Sequence, residues 1–180
     1  VTARAYILQD FHSGRVIMEK NIEEHLDPAS LTKLMTAYLV FQRLQSGKIK
    51  LTDTALISEK AWRMTGSRMY LEVDSRLPIK LLLQGMIIQS GNDASVALAE
   101  FIAGTEETFV ILMNEQAQRL GLTHTHYTNS TGLPDEQHYS TVLDLMRMAQ
   151  VLIHDFPEYY RWYSEREFTY NNITQANRNL

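Results

Sequence analysis

The sequence predicts an α+β fold in which a body of helices packs on an antiparallel sheet. Stretches with apolar residues at helical spacing occupy the middle of the chain, and short stretches of strand character lie near both ends. The chain has 180 residues, of which 44% are hydrophobic. This length and composition fit one domain with a substantial core, and no internal repeat or clear linker divides the chain.

Each end of the chain predicts a β-hairpin. Residues 5–19 contain a strand, tight turn, strand pattern around His12-Ser13-Gly14. Residues 168–175 repeat this pattern on a smaller scale around Asn171-Asn172. Asparagine tolerates the positive φ that a short hairpin turn demands, so a second hairpin is expected there.

Apolar spacing predicts five helices between the hairpins. They cover residues 28–45, 79–89, 93–102, 106–120 and 140–154. Asp27-Pro28 is typical of a helix start, and Gly121 is typical of the residue just past a helix end. On the inner side of the fifth helix we expect Leu143, Met146, Ala149 and Ile153.

Charge and cysteine content exclude several function classes. Lys and Arg total 17 against 21 Asp and Glu, and the net charge of −4 gives no electrostatic reason to expect a nucleic-acid partner. The absence of cysteine excludes disulfides and thiol catalysis. No apolar run approaches the roughly 20 residues that span a bilayer, so any targeting or anchoring segment is expected outside these residues.

Ser30-Leu31-Thr32-Lys33 places a hydroxyl and an amine three residues apart at the start of the first helix, on one face. A serine is a weak nucleophile until a base removes its proton, and lysine serves as that base where burial and positive charge lower its pKa. The helix N-terminus favours the negative charge that develops as an acyl-enzyme forms. Because Ser-x-x-Lys also occurs by chance in helices, the pattern needs a second motif to carry a function.

Ser90-Gly91-Asn92 lies between the second and third predicted helices, where short polar side chains can project into a cleft. Taken alone, these residues are equally typical of a turn. Downstream of Ser-x-x-Lys, however, the triplet resembles the second motif of active-site-serine penicillin-binding proteins and β-lactamases.

Together the motifs resemble the low-molecular-mass penicillin-binding proteins of the serine-type D-alanyl-D-alanine carboxypeptidase family. The resemblance extends over residues 28–36, 89–94, 129–134, 139–141, 168–175 and 177–179, nearly end to end. It implies the penicillin-binding/β-lactamase-like fold, with a helical body on an antiparallel sheet.

The resemblance also implies a mechanism. Ser30 would attack the carbonyl between two terminal D-alanines while Lys33 takes its proton, and the Ser30 N–H would donate to the oxyanion. Ser90 would relay a proton to the leaving amine, and Asn92 would hold the substrate amide and help to place Lys33. Water would then release the trimmed peptide.

The resemblance sets the expected partners and location as well. The substrates would be peptidoglycan stem peptides of the bacterial cell wall, and β-lactams would acylate the same serine. No cofactor is expected. The protein would be periplasmic and attached to the inner membrane through a C-terminal segment not present in these residues.

One motif of the family is missing from the sequence. A Lys-Thr-Gly or His-Thr-Gly triplet should follow soon after Asn177-Arg178-Asn179, but the chain stops at Leu180. The two Thr-Gly pairs, at residues 65–66 and 131–132, follow Met64 and Ser130. We therefore expect residues 1–180 to form a single incomplete catalytic domain that lacks its C-terminal strands and is inactive alone.

Rival functions on the same scaffold are a serine β-lactamase, a cell-wall endopeptidase and a non-catalytic β-lactam sensor that keeps its acyl group. Asp93-Ala94 after Ser-Gly-Asn resembles the carboxypeptidases more than the β-lactamases.

Histidines and aromatic residues raise two further questions. No acidic or cysteine ligand completes a metal-binding spacing with His124, His126 and His138, so no metal site is expected and surface or loop positions are predicted for these histidines. The aromatic residues of 159–163 are expected to pack a helix end rather than to form a peptide-binding rim.

Overall fold

A computed structural model of the chain describes residues 2–177. The helices in chain order are α1 (Lys33–Gln45), α2 (Glu59–Trp62), α3 (Ile79–Gln89), α4 (Asn92–Ala103), α5 (Glu106–Arg119), α6 (Val142–Asp155) and α7 (Pro157–Tyr160). The strands are β1 (Tyr6–Gln9), β2 (Val16–Lys20), β3 (Thr54–Leu56), β4 (Arg76–Pro78), β5 (Glu167–Tyr170) and β6 (Ile173–Ala176). The described residues thus form the α+β architecture that the sequence predicts.

Helix α4 is the centre of the core. Its first eight residues are all buried, and it packs against α1, α2, α3 and α5. Ala94, Ala97 and Ala99 are fully buried, and such small side chains let neighbouring helices approach closely. The predicted Ser-x-x-Lys and Ser-Gly-Asn motifs, which lie at the starts of α1 and α4, are therefore attached to this buried core.

Aromatic rings pack against Tyr38 and Phe41 of helix α1. Phe41 stacks on Tyr159 with ring centroids 4.7 Å apart, and the Tyr38 hydroxyl donates to Asp155 Oδ2 at 2.7 Å. Burial, together with that carboxylate, raises the pKa of Tyr38 well above its usual value. These contacts hold α1 against α6 and α7 and confirm the packing prediction for Tyr159.

The strands pair as three separate two-stranded antiparallel ladders within residues 2–177: β1 with β2, β3 with β4, and β5 with β6. Both predicted hairpins are confirmed, and Asn171 and Asn172 have φ of 50° and 59° in the second turn. The β3–β4 ladder was not predicted, since each strand has three residues and about twenty residues separate them.

Two helix predictions need correction. Residues 29–32 form a 3₁₀ turn, so the α-helix begins at Lys33 and not at Pro28.

The second correction concerns the buried face of α6. The buried side chains are Asp144, Met148 and Leu152, whereas the residues predicted on the inner side are only partly buried: Leu143, Met146, Ala149 and Ile153. Three of those, Met146, Ala149 and Ile153, line a groove between α6 and β1, so this face is apolar because it borders the first hairpin.

Candidate active site

The 3₁₀ turn Ala29–Thr32 sets the positions of Ser30 and Lys33. Asp27 Oδ1 accepts from the Ala29 N–H at 2.8 Å, and Ala29 has a φ of 46°, an uncommon conformation for a residue with a Cβ. This tight entry leaves Ser30 exposed while Lys33 turns inward and is 6% exposed.

The side-chain amine of Lys33 lies at the centre of the site. Its Nζ donates to Asn92 Oδ1 at 2.7 Å and to the Thr131 carbonyl at 2.6 Å, and it lies 3.3 Å from Ser30 Oγ. The predicted contact between Ser30 and Lys33 is present. Burying an amine is costly without such acceptors, and the two carbonyl oxygens fix the direction in which it faces the serine.

Ser90 ends α3 in a strained conformation. Its φ and ψ are 60° and 37°, in the left-handed region that costs a residue with a Cβ roughly 1–2 kcal/mol. Its Oγ is buried and has no hydrogen-bond partner within residues 2–177. A strained residue that carries a buried hydroxyl without a partner is typical of a functional position, where a bound molecule supplies the missing partner.

Asn92 begins α4 and uses both ends of its amide. Its Oδ1 accepts from Lys33, and its Nδ2 donates to the Thr65 carbonyl at 2.7 Å. The neighbouring Asp93 is 1% exposed and accepts from the backbone N–H groups of Met69 and Leu71 at 3.0 and 3.2 Å. Asn92 thus orients Lys33, and Asp93 fixes the segment that holds Asn92.

A loop at residues 129–133 forms the third side of the lysine site. Asn129 Oδ1 accepts from the N–H groups of Thr131 and Gly132 at 3.1 and 2.7 Å. Gly132 has a φ of +85°, and a Cβ there would lie 1.8 Å from the Ala29 carbonyl oxygen. Only glycine fits this contact between the loop and the nucleophile turn. The role of this loop was not predicted from the sequence, although an Asn three residues before a Gly is typical of a turn.

Glu106 supports this loop from the opposite side. Its Oε1 accepts from the N–H and the hydroxyl of Ser130 at 2.9 and 2.7 Å, and its Oε2 lies 2.9 Å from Lys60 Nζ. The Ser130 carbonyl accepts from Thr36 and Ser95. Nothing in the sequence pattern distinguishes Glu106 from the other acidic residues at helix starts, so its role was not predicted.

His138 lies in a loop, as predicted, but it is buried and does not lie on the surface. It is 2% exposed, and burial lowers its pKa below the usual value of 6.5, against the opposing effect of Asp27 and Asp135. Its Nε2 lies 2.7 Å from Thr32 Oγ1, beside Lys33 in the chain.

A cleft of about 550 Å³ opens beside these groups. Ser30, Lys33 and Ser90 line it together with the apolar side chains of Leu34, Met86 and Ile88. Tyr163 also borders the cleft, so the packing prediction for the aromatic group holds for Tyr159 but does not describe Tyr163 fully. The sites predicted at Ser30, Lys33, Ser90 and Asn92 therefore meet at one place.

Neither a metal cluster nor a membrane-spanning helix is found in the described part of the chain. No group of three or more His, Cys, Asp or Glu side chains in residues 2–177 could hold a metal ion. No helix within the same residues is long and apolar enough to cross a bilayer. Arg178 and Asn179, which contribute to the resemblance, lie outside the described residues.

The arrangement has the parts that acyl transfer by a serine requires: an exposed hydroxyl, an amine oriented toward it and a cleft beside both. The helical body with its antiparallel ladders, together with the Ser-x-x-Lys turn, places the molecule in the class of penicillin-binding α+β folds. A family model described as D-alanyl-D-alanine carboxypeptidase matches residues 1–180, and the chain belongs to this family.

Comparison with individual proteins agrees. The chain is 47% identical over 185 residues to D-alanyl-D-alanine carboxypeptidase DacC of Escherichia coli K12, covering 99% of this chain and 46% of that protein. DacA of the same strain is 44% identical over 186 residues, with the same two coverages. The crystal structure of penicillin binding protein 5 from Haemophilus influenzae superposes with a TM-score of 0.96 at 42% identity, covering 99% of this chain and 53% of that one. The chain thus spans about half the length of the relatives it matches.

Proposed function

We propose that the protein is a serine-type D-alanyl-D-alanine carboxypeptidase that removes the terminal D-alanine of peptidoglycan stem peptides through an acyl-enzyme on Ser30. The observation that carries this proposal is the position of Lys33 Nζ, 3.3 Å from Ser30 Oγ and held by two carbonyl oxygens. Membership of the carboxypeptidase family supplies the substrate class.

The geometry supports Lys33 as the general base. A neutral amine keeps two N–H bonds, which the Asn92 and Thr131 oxygens can accept, and its lone pair is then available to the Ser30 hydroxyl. As the proton moves to Nζ, Ser30 Oγ bonds to the carbonyl carbon between the two D-alanines and the carbonyl oxygen becomes an oxyanion. The new positive charge on Lys33 lies among oxygen acceptors that stabilise it.

The remaining steps use Ser90 and water. The C–N bond breaks as the tetrahedral intermediate collapses, and the leaving amine takes the proton from Lys33 through the Ser90 hydroxyl, which has no hydrogen-bond partner within residues 2–177. Water then attacks the ester on Ser30, releasing the shortened peptide and restoring the hydroxyl. In this scheme Asn92 orients Lys33 and also binds the substrate amide.

β-Lactams fit the same scheme as ligands of the protein. The Ser30 oxygen would open the lactam ring and leave an ester that water attacks slowly. The name of the Haemophilus influenzae relative, penicillin binding protein 5, supports this part of the proposal. We also propose that the protein acts in the periplasm, where its stem-peptide substrates lie, and that a segment outside these residues attaches it to the inner membrane.

We further propose that residues 1–180 are one incomplete catalytic domain, inactive alone, whose cleft is completed by a strand carrying Lys-Thr-Gly or His-Thr-Gly. No such triplet occurs in the sequence, and relatives are about twice as long. β1 and β2 pair only with each other within residues 2–177, which leaves sheet edges on which further strands can pair.

The test is release of D-alanine from an acyl-D-alanyl-D-alanine peptide by the full gene product that contains these residues. Ser30→Ala should abolish release, whereas Ser46→Ala, at an exposed serine after α1, should leave it unchanged. The isolated 180 residues should release none. A gene product that is acylated by penicillin but never releases D-alanine would contradict the carboxypeptidase proposal and favour a β-lactam sensor.

A further inference from the structure

His138 links the two segments that surround Lys33. It lies between the 3₁₀ turn that carries Ser30 and the loop that supplies the Thr131 carbonyl. Resting on the proposed function, we propose that His138 is a positioning residue for acylation: its neutral imidazole ties the loop to the turn and so keeps Lys33 aimed at Ser30.

The contacts of the ring define which nitrogen carries the proton. The Thr128 backbone N–H can only donate, and it lies 3.0 Å from His138 Nδ1, so Nδ1 must carry the lone pair. In the neutral ring the hydrogen is then on Nε2, which donates to Thr32 Oγ1 at 2.7 Å. One end of the ring therefore accepts from the loop, and the other end donates to the nucleophile turn.

Burial makes this link stiff. His138 is 2% exposed and Thr32 is fully buried, so water does not compete readily for either hydrogen bond. Thr32 immediately precedes Lys33, and the Thr131 carbonyl that accepts from Lys33 Nζ at 2.6 Å follows Thr128 by three residues. A shift of either segment would change the 3.3 Å separation of Nζ and Ser30 Oγ, on which proton transfer depends.

The charge state of the ring is set by groups from several segments. Asp27, which precedes the 3₁₀ turn, and Asp135, which follows the 129–133 loop, favour the imidazolium, and His126 opposes it. The Tyr127 ring packs edge-on at 5.7 Å between centroids. Burial is the largest effect and lowers the pKa of His138 below 6.5, so the ring stays neutral at pH 7.

Protonation would break the link. In the imidazolium both nitrogens carry hydrogen, so Nδ1 can no longer accept from the Thr128 N–H and two donors would face each other. Because the folded pKa lies below the unfolded one, the unfolded chain binds the proton first. The contribution of His138 to stability is therefore complete above about pH 6.5 and is lost as pH falls through the folded pKa.

The test compares penicillin acylation of Ser30 in the full gene product for wild type, His138→Phe, His138→Gln and Thr32→Val. Phenylalanine keeps the ring volume but neither hydrogen bond, and we expect its second-order acylation rate to fall about tenfold or more. Glutamine places an amide N–H near the position of Nε2, so it should recover part of the rate. Thr32→Val cuts the same link at its other end, and the Thr32→Val/His138→Gln double variant should lose no more than the worse single variant.

A pH profile separates positioning from a structural role. The wild-type acylation rate should contain a decline toward acid that matches the pKa of His138 measured by NMR, and His138→Gln should lack that component while remaining folded. The same NMR spectra should show Nδ1 unprotonated at neutral pH.

Three outcomes would overturn the proposal. They are acylation by folded His138→Phe within about twofold of wild type, an unchanged acid decline in His138→Gln, or additive losses in the double variant. If His138→Phe does not fold, the other two comparisons decide. Wild-type protein that penicillin does not acylate at Ser30 would instead contradict the proposed function, which keeps the two failures distinct.

Discussion

The surroundings of Lys33 differ from the β1–β2 hairpin in how their side chains are covered: the first buries hydrogen-bonded polar groups, and the second exposes apolar ones. Around Lys33, buried polar atoms of Asn92, Ser130 and His138 find partners within the chain. In β2 all five residues are exposed, including Ile17 at 59% and Met18 at 45%. The difference indicates that the surroundings of Lys33 are organised by contacts within residues 2–177, whereas the hairpin presents an apolar surface that residues 2–177 leave uncovered.

The largest effect is expected for Lys33→Ala. If Lys33 is the base, the second-order rate of acylation by penicillin should fall by roughly 10²-fold or more, because the proton acceptor is lost while the cleft remains. Stopped-flow acylation kinetics on the full gene product measure this. Lys48→Ala, at an exposed lysine after α1, is the matched control, and a loss below about tenfold would make Lys33 structural.

Gly132→Ala should lower the free energy of unfolding by about 2–3 kcal/mol, because the new Cβ overlaps the Ala29 carbonyl and strains a left-handed residue. Gly47→Ala shares the positive φ but has open space around its Cβ position, so it should cost about 1 kcal/mol. Denaturant unfolding of the two variants compares them. Equal losses would show that the contact between the loop and the turn contributes nothing.

Asn92→Ala should slow acylation by about tenfold, less than Lys33→Ala, because Lys33 loses one of its acceptors but keeps the Thr131 carbonyl. The same kinetics measure this change. An unchanged rate would remove Asn92 from the site, and a loss as large as that of Lys33→Ala would mean that Asn92 does more than orient the amine.

The smallest effect is expected on the hairpin. In the isolated 180 residues, Ile17→Thr should change the free energy of unfolding by less than about 0.5 kcal/mol, since Ile17 is exposed. Ile57→Thr, at a fully buried position, should cost about 2 kcal/mol or more. In the full gene product Ile17→Thr should cost more than in the isolated residues, and equal costs in both would show that nothing further covers β2.

The two catalytic motifs and the hairpins could be predicted from the sequence, because each depends on residues that are close together in the chain. Ser30 and Lys33 share a turn, and Ser90 and Asn92 lie at a helix junction, so spacing places the members of each pair near each other, and the family resemblance joins the two pairs. Asn171-Asn172 predicted its hairpin through backbone preference.

What the sequence did not predict depends on contacts between distant segments. Thr131 lies 98 positions from Lys33 and His138 lies 106 from Thr32, so no spacing rule connects them. The α6 face was misassigned because its apolar residues divide between the core, at Met148 and Leu152, and the groove beside β1. A helix between two apolar surfaces has no single inner side.

Peptide mapping after exposure to penicillin tests whether Ser30 is the nucleophile toward which Asn92 and Thr131 orient Lys33. Trypsin should release residues 21–33, which contain Ser30. We expect this peptide of the full gene product to carry the added mass of one penicillin, and Ser30→Ala to remove that mass. Labelling that remains in the folded Ser30→Ala protein, or that maps to another peptide, would show that Ser30 is not the nucleophile.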